Sequence, residues 1–528
     1  MILCKTIHLY ALNCILAVSF CVEMDARNIA FRERTIQGQG DCILRIVPDV
    51  FSTERTTYII SAKCDAEGQT IHIPRKCNLV FSGDGCIMNA KMVFDGTWLD
   101  NPYFKNILSY SGSIKNRSLY LKDFGTLDDT NLLHFIFSQI GNSTIVTFED
   151  RKYYIDALKY KKEIINDDCF INIIEKRKII IDGNGAEIID SASDRLLGGT
   201  LFSVFKFTSC SNITINNLSY SWTNIPILHP RVKGIIFIRT INQCQSFNID
   251  VSVNNCGRGV YSGRWKDISG HPRRGLCDSE IIVHANKVGY PIAIEKGDNL
   301  VIKDYYEIVH RGLYLAGVTN SDILVSGKEA FSTKVHLLLT DTMDADGWYF
   351  CDNIDATVID RGTSELSDMV LMAYCQFYPL SYEQFVGRPM YDIKNIKLHL
   401  FTPSGTETSY ELLNIDDLAE IGDRINVSVD GQFYHNGKND RLYRIRHQPK
   451  GNIVFNRIDC INNYVVYSGD IPNDCNLVFN NCSNILFEWS SQKTPTNGSI
   501  EFHKCTFKRN LERVDRLKTG LFVDLRVD

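Results

Sequence analysis

Apolar and polar residues alternate in short runs through the middle of the chain, from about Phe247 to Asn353. A period of two is typical of β-strands that bury one face. The runs come in pairs, and the first members are FNIDVSV, EIIVHAN, NLVIKDY and VHLLLTD. The second members each contain a small residue or a proline, and they are GRGVYSG (257–263), GYPIAIEKG (289–297), HRGLYLAG (310–317) and DADGWYFCDN (344–353).

These pairs recur at intervals of roughly 20 to 35 residues, which indicates a repeat architecture. Each repeat contains two or three short strands and no long helical pattern, so it must stack on its neighbours to bury its apolar face. The pattern therefore predicts an all-β fold, a right-handed parallel β-helix (solenoid) with inserted loops. Two such loops are expected at 223–233 and 262–275, where proline and basic residues interrupt the alternation.

The same pattern divides the chain into four parts. Residues 1–25 are predicted to be a signal peptide, residues 26–117 a β segment that opens the solenoid, and residues 118–360 the core β-helix. Residues 361–528 are interpreted as C-terminal coils with an irregular insertion, in which ELLNIDDLAEIGD is predicted to be helical. The C-terminal coils either continue the solenoid or form a small β-domain packed on it.

The N-terminus predicts export. Lys5 is followed by an apolar run from Ile7 to Val22, which is short for a membrane span and suits a secretory signal. A secreted, periplasmic or cell-surface protein is expected, with no stable membrane insertion once the signal is removed. The alternative is a lipid anchor on Cys21, although Phe20 before it fits a lipoprotein signal poorly.

The net charge bears on the class of partner, and the spacing of the cysteines bears on whether they are reduced and buried. The chain has 528 residues and a net charge of -5, which argues against a nucleic-acid partner. Many of the 18 cysteines recur at matching repeat positions, among them Cys210, Cys244 and Cys482. They are predicted to stack as reduced, buried residues, since no zinc-type spacing is present. No sequence feature specifies an oligomeric state.

A capping helix is predicted within Leu121–Ile155, LKDFGTLDDTNLLHFIFSQIGNSTIVTFEDRKYYI. Asp128 or Asp129 can accept hydrogen bonds from the free N–H groups at the start of the helix. The segment resembles the "G…DDT.A…A" opening of the pectin-lyase-like superfamily, secreted polysaccharide-degrading enzymes in which such a helix caps the β-helix. That resemblance extends from about Leu121 to Asn353 and implies the same fold.

A polar strip is predicted where the second runs align on Gly259, Pro291, Gly312 and Gly347. The aligned positions of neighbouring coils lie about 4.8 Å apart. The strip should therefore unite Arg258, Tyr290, His310, Arg311 and Asp346 on one outer face. Beside it lies a loop whose six side chains suit an anionic sugar polymer: Arg264, Trp265, Lys266, His271, Arg273 and Arg274. The plain alternative is that these polar residues are only solvated.

The segment GYPIAIEKG…NLVIKDYYEIVHRGLYLAG resembles the polygalacturonase pattern "DDCIAIKSG…N..I.N…GHGG..IG", and His310 occupies the position of that family's active-site histidine. The paired aspartates are replaced by Gly289 and Tyr290, and Arg311 follows the histidine in place of glycine. A hydrolase of that type needs its carboxylates. The resemblance therefore does not carry the hydrolytic mechanism over.

The remaining groups suit β-elimination on a uronic acid. Arg258 and Arg311 would neutralise the sugar carboxylate, while His310 or Tyr290 moves the proton. Two alternatives stay open. Two of the three aspartates Asp341, Asp344 and Asp346 could act as a carboxylate pair in hydrolysis, or the cluster could bind Ca²⁺. The cluster lacks a specific metal-ligand spacing, and the sequence indicates no other cofactor. The β-helix could also bind or attach to a polysaccharide without cleaving it.

Overall fold

The structure is a computed structural model. It describes residues 32–37, 43–159, 168–192, 202–223, 235–263, 275–338, 342–344, 347–349, 351–362, 369–377, 394–403, 409–417, 424–434, 441–446, 450–461, 468–469, 475–483, 498–506 and 524–527. The predicted signal peptide lies outside these ranges. No helix in the described part of the chain is long and apolar enough to cross a membrane.

The N-terminal part consists of short strands and two 3₁₀ turns, Pro48–Phe51 and Leu121–Asp123. Its strands are β1 (Arg32–Ile36), β2 (Leu44–Arg45), β3 (Thr56–Ile60), β4 (Lys63–Asp65), β5 (Thr70–Ile73), β6 (Asn78–Phe81), β7 (Cys86–Met88), β8 (Lys91–Asp100), β9 (Phe104–Ile107), β10 (Ser109–Ile114), β11 (Ser118–Tyr120) and β12 (Phe124–Thr126). Apart from β11, they form a six-stranded and a five-stranded sheet, and their pairings are parallel.

One α-helix, α1 (Asp129–Ser138), follows in the described chain. The central strands are β13 (Ile145–Thr147), β14 (Lys152–Ile155), β15 (Cys169–Ile174), β16 (Arg177–Asp182), β17 (Glu187–Asp190), β18 (Phe202–Thr208), β19 (Ser211–Trp222), β20 (Ile235–Ile241), β21 (Cys244–Asn254), β22 (Arg258–Ser262), β23 (Leu276–Asn286), β24 (Tyr290–Ile294), β25 (Gly297–Val309), β26 (Leu313–Ala316), β27 (Val318–Ala330), β28 (Thr333–Leu338), β29 (Thr342–Asp344), β30 (Gly347–Tyr349) and β31 (Asp352–Asp360).

The C-terminal strands continue without a change of architecture. They are β32 (Met369–Phe377), β33 (Lys394–Phe401), β34 (Ser409–Asp417), β35 (Arg424–Tyr434), β36 (Arg441–Arg446), β37 (Lys450–Ile461), β38 (Ser468–Gly469), β39 (Cys475–Asn480), β40 (Gly498–His503) and β41 (Asp524–Val527). The segment predicted to be helical from ELLNIDDLAEIGD is instead β34 as far as Asp417, and that prediction was wrong there. The residues that follow, 418–423, lie outside the described part.

Two parallel sheets make the solenoid, and one of them, called the long sheet, has more strands than the other. The long sheet has seventeen strands, in the order β11-β13-β14-β16-β17-β19-β21-β23-β25-β27-β31-β33-β35-β37-β39-β40-β41. The second sheet has eleven, in the order β15-β18-β20-β22-β24-β26-β28-β32-β34-β36-β38. Successive strands alternate between the two sheets from β17 to β28 and from β31 to β39, so the backbone winds as a right-handed parallel β-helix, as predicted.

The helix α1 begins where the sequence predicted. Asp128 is its N-cap, and its carboxylate accepts a hydrogen bond from the Asn131 N–H at 3.1 Å. Asp129 instead forms an ion pair with Arg151 at 2.7 Å. The helix buries Leu132, Leu133, Phe135, Ile136 and Phe137 and packs on β10, β14 and β15, so it covers the first strand of the second sheet.

The predicted cysteine stack is present. Cys210 and Cys244 are buried free thiols on neighbouring coils, placed by the pairing of Ser211 with Gln245. Their Sγ atoms donate weakly to backbone carbonyls rather than to each other. The turns between strands place asparagine in left-handed backbone conformation, as at Asn255 with φ 50°.

One repeat was assigned wrongly. The run VHLLLTD belongs mainly to β28, a strand of the second sheet, although it was grouped with the strands that precede each small residue. The run after it contributes β30, which pairs with β29 in an antiparallel two-stranded ribbon outside the solenoid sheets. Both sheets alternate with the same period, so the pattern alone does not tell which sheet a strand joins.

The interior also contains charged and polar side chains. Lys334 and Asp360 form an ion pair of 3.1 Å, and both side chains are 0% exposed. Asp304 lies between Val283 and Val325 of adjacent coils, and neither of its carboxylate oxygens has a hydrogen-bond partner among the described residues. Burial raises the pKa of Asp304 well above its usual value, and the charge of Lys334 opposes that shift.

A second buried carboxyl, Asp190, should give the fold a measurable pH dependence. It accepts hydrogen bonds from the Ala157 and Ala192 N–H groups and from the Tyr220 hydroxyl. Burial nevertheless raises the pKa of Asp190 to about 6. Because the folded state holds this proton more tightly than the unfolded state, stability is greatest below the unfolded pKa of about 3.9 and falls as pH rises towards the folded value.

The expected difference is about 2 kcal/mol between pH 4 and pH 7. Urea unfolding followed by circular dichroism at both pH values measures it, with Asp190→Asn as the comparison. The decline with pH should be smaller in the variant by about that amount. Equal pH dependence in both proteins would show that the pKa of Asp190 is not raised in the folded state.

Candidate active site

Three predicted site residues form a column on the second sheet. Arg258 and Tyr290 are direct partners in the pairing of β22 with β24. The Arg311 N–H donates to the Gly289 carbonyl at 3.1 Å, which places Arg311 next to Tyr290 on the following coil. The guanidinium carbons of Arg258 and Arg311 lie 5.6 Å and 5.7 Å from the centre of the Tyr290 ring. The predicted alignment on successive coils is confirmed, and we call these three residues the Arg258 column.

A second row of polar and aromatic side chains runs beside this column. The row includes Tyr261, Tyr314, His336 and Tyr374. Tyr261 and Tyr314 lie three residues after Arg258 and Arg311. His336 and Tyr374 lie three residues after the residues that occupy the column position on the next two coils. The guanidinium carbon of Arg258 lies 4.2 Å from the centre of the Tyr261 ring. Burial, with a contribution from Glu295, raises the pKa of Tyr261 to about 12. Tyr261 is therefore a neutral phenol that orients Arg258.

The charge on the column is not balanced within the described structure. Further towards the N-terminus, Asp168 forms ion pairs with Lys206 at 2.6 Å and with Arg239 at 2.7 Å. No described carboxylate forms an ion pair with Arg258 or Arg311. The Nε and Nη1 atoms of Arg258 and the Nε atom of Arg311 have no hydrogen-bond partner among the described residues. Those three atoms are themselves out of contact with solvent, so an anion would meet the half-buried guanidiniums at their other nitrogens.

The two histidines of the site are buried. His310 was predicted to lie on the outer strip, but its side chain is 3% exposed and packs against Phe331, with the ring centres 5.6 Å apart. It meets the Tyr290 ring at a centre distance of 6.2 Å. His310 precedes Arg311 by one residue, and the chain turns between β25 and β26 at this point, so the two side chains diverge.

His336 was not anticipated as a site residue. Its Nδ1 accepts a hydrogen bond of 2.9 Å from the Arg311 guanidinium, which leaves the ring proton on Nε2. Its ring also stacks on Tyr374 at 4.8 Å. Thr333 occupies the column position on its coil, and His336 lies three residues after it, as Tyr261 does after Arg258. If VHLLLTD had been assigned to the second sheet, this spacing would have identified His336 from the sequence. His336 fixes the orientation of Arg311.

The remaining predicted residues are not united with the column. The position next to Arg311 on the following coil is Thr333, whose carbonyl accepts from the Gly312 N–H, and not Asp346 as predicted. Asp341 and Asp346 lie outside the described residues, and of Asp344 only the backbone is described, in β29. The predicted binding loop also lies outside the described residues: Arg264, Trp265, Lys266, His271, Arg273 and Arg274.

No metal site is indicated in the described part of the chain, where no group of three or more His, Cys, Asp or Glu side chains is arranged to hold an ion. The suggested Ca²⁺ ligands are the three aspartates just named, so that suggestion stays a prediction. The column itself offers cationic donors and phenols, which bind anions and not cations.

Comparison with known proteins yields one distant structural likeness and no sequence match. No family model matches the chain, and no curated protein sequence matches it. A solved structure that resembles it is a family 28 exopolygalacturonase from Yersinia enterocolitica, with 9% sequence identity and a TM-score of 0.27 over 89% of this chain and 73% of the other. A likeness this distant does not bear on activity. The assignment to the parallel β-helix class rests on the strand pairing described above.

Proposed function

We propose that this β-helix binds an anionic polysaccharide along the Arg258 column and cleaves it by β-elimination. One observation carries the proposal. A half-buried tyrosine, Tyr290, lies between the guanidiniums of Arg258 and Arg311, and no described carboxylate forms an ion pair with either arginine. A uronic acid carboxylate would bind to one or both guanidiniums beside the Tyr290 ring, and arginine keeps its charge while holding it.

The column suits each step of the elimination. Arg258 and Arg311 neutralise the uronate carboxylate, which makes the proton on the neighbouring C5 easier to remove and stabilises the enolate that forms. Tyr290 moves the proton, because its hydroxyl belongs to the same half-buried column. The electrons of the C5–H bond form the C4–C5 double bond, the C4–O bond breaks, and the leaving oxygen takes up a proton.

Arg311 depends on support from the neighbouring row. The hydrogen bond to His336 holds one of its nitrogens, so the other donors keep a fixed direction towards the substrate. Tyr261 does the same for Arg258 through the contact of its ring with the guanidinium. We further propose that the basic loop at 264–274 adds charge beside the column and that the protein is exported, as its sequence indicates.

The test is a screen of anionic polysaccharides with two detectors. Elimination creates a double bond conjugated to the carboxylate, so products should absorb in the ultraviolet as well as add reducing ends. Reducing ends without absorbance would replace the lyase with the carboxylate hydrolase. Binding without either signal would identify a non-catalytic glycan-binding protein.

A matched substrate control is a polymer whose carboxylates have been chemically reduced to alcohols. It keeps the linkages and ring shapes but removes both the anion and the acidity of C5. No cleavage of it is expected. Cleavage of the reduced polymer at a rate similar to the parent would contradict the role of the two arginines.

A further inference from the structure

A groove of about 780 Å³ runs across the outer face of the long sheet, beside the Arg258 column but separate from it. Its floor is a row of aligned residues from five successive coils: Ser219, Ser252, His284, Tyr305 and Ser326. Because neighbouring strands are about 4.8 Å apart, this row extends roughly 19 Å along the solenoid. That length accommodates several sugar units of an extended chain.

The centre of the groove is an aromatic platform. His284 and Tyr305 stack with ring centres 5.1 Å apart and an angle of 11° between their planes. The other face of Tyr305 is directed towards its partner on the next coil, Ser326, whose side chain is short. The His284 side chain is about half exposed, so the stacked pair offers an apolar surface on which a sugar ring can pack.

The other lining groups are short and mostly neutral. Ser221, Asn254 and Asn286 form a second row beside the first, and hydroxyl and amide groups both donate and accept hydrogen bonds, as sugar hydroxyls do. The charged groups at the ends are already engaged. Glu187 accepts from the Ser221 hydroxyl at 2.7 Å, and Glu307 forms an ion pair with Arg361 at 3.0 Å.

We propose that this groove is a second glycan-binding site that takes neutral sugar units of a polysaccharide. The argument for it is independent of the proposed elimination, since it uses no residue of the Arg258 column. The balanced charge distinguishes the groove from the column, whose arginines favour an anion. Asn254 and Asn286 precede Arg258 and Tyr290 by four residues each, so the groove and the column lie on either side of the same corner of the solenoid.

Affinity electrophoresis through gels that contain a soluble galactan, arabinan, xylan or mixed-linkage glucan tests the proposal. At least one of these neutral polymers should retard the wild-type protein. Tyr305→Ala should weaken that retardation about tenfold or more, the effect expected when an aromatic anchor is removed. Tyr305→Phe keeps the ring and should stay within about threefold of wild type.

Tyr154→Ala is the matched control, because Tyr154 is an exposed tyrosine of the same sheet outside the groove, and it should bind as wild type does. Arg311→Ala should also keep neutral-glycan binding. The proposal is overturned if none of the four polymers retards the wild-type protein, or if Tyr305→Ala binds as tightly as wild type. These measurements use uncharged polymers and no ultraviolet signal, so their outcome does not depend on whether the protein cleaves a polysaccharide by elimination.

Discussion

Tyr290→Phe should lower turnover on an anionic polysaccharide by about 10² or more, because it removes the hydroxyl proposed to move the proton and leaves the ring in place. Arg311→Ala should have an effect of similar size, since it removes one of the two charges that stabilise the enolate. The rate of formation of ultraviolet-absorbing product at saturating substrate measures both.

Folding should survive these changes, because Tyr290 and Arg311 are half-buried on the outer face of the second sheet. Tyr154→Phe and Arg457→Ala alter an exposed tyrosine and an exposed arginine elsewhere on the solenoid and should leave the rate unchanged. His310→Ala separates the two candidate proton carriers. If it abolishes turnover while Tyr290→Phe retains it, the proton passes through the buried histidine and the role given to Tyr290 is incorrect.

Lys334→Met should reduce the free energy of unfolding by about 3–5 kcal/mol. Lys334 is fully buried, and its ammonium group donates to the Gly327 and Lys328 carbonyls as well as to Asp360. Removing it leaves Asp360 inside the solenoid without its cationic partner. Urea unfolding at pH 7, followed by circular dichroism, gives the difference.

A surface pair provides the matched control. Lys303 and Glu280 are 2.7 Å apart but largely accessible to solvent, so Lys303→Met should lower stability by less than about 1 kcal/mol. The double variant Lys334→Met with Asp360→Asn removes both charges and should recover a substantial part of the loss. If Lys334→Met is no more destabilising than Lys303→Met, the buried pair does not stabilise the fold as described.

The sequence was sufficient to predict the β-helix and the Arg258 column. Alternation fixes which residues point outwards, and one repeat per coil brings equivalent positions together, so Arg258, Tyr290 and Arg311 could be aligned without a structure. The N-cap at Asp128 was predictable for a similar reason, since a capping contact is local in sequence.

Other features depend on information that is not local. The strand β28 has the same alternation as its neighbours, and only its pairing with β26 shows that His336 belongs beside Arg311. Charge suggests that Lys334 and Asp304 face solvent, but the strand register directs both inwards. His310 is buried because the chain turns just after it. A single sequence contains no signal for that turn angle.

Burial protects the stacked thiols of the described coils from oxidants and alkylating reagents. Burial raises the pKa of Cys244 and of Cys482 to about 12, so almost none of either sulfur is present as the reactive thiolate at neutral pH. Each thiol also has its donor directed at a backbone carbonyl. Alkylation of these two buried thiols by a reagent such as iodoacetamide therefore reports unfolding of the coils that contain them.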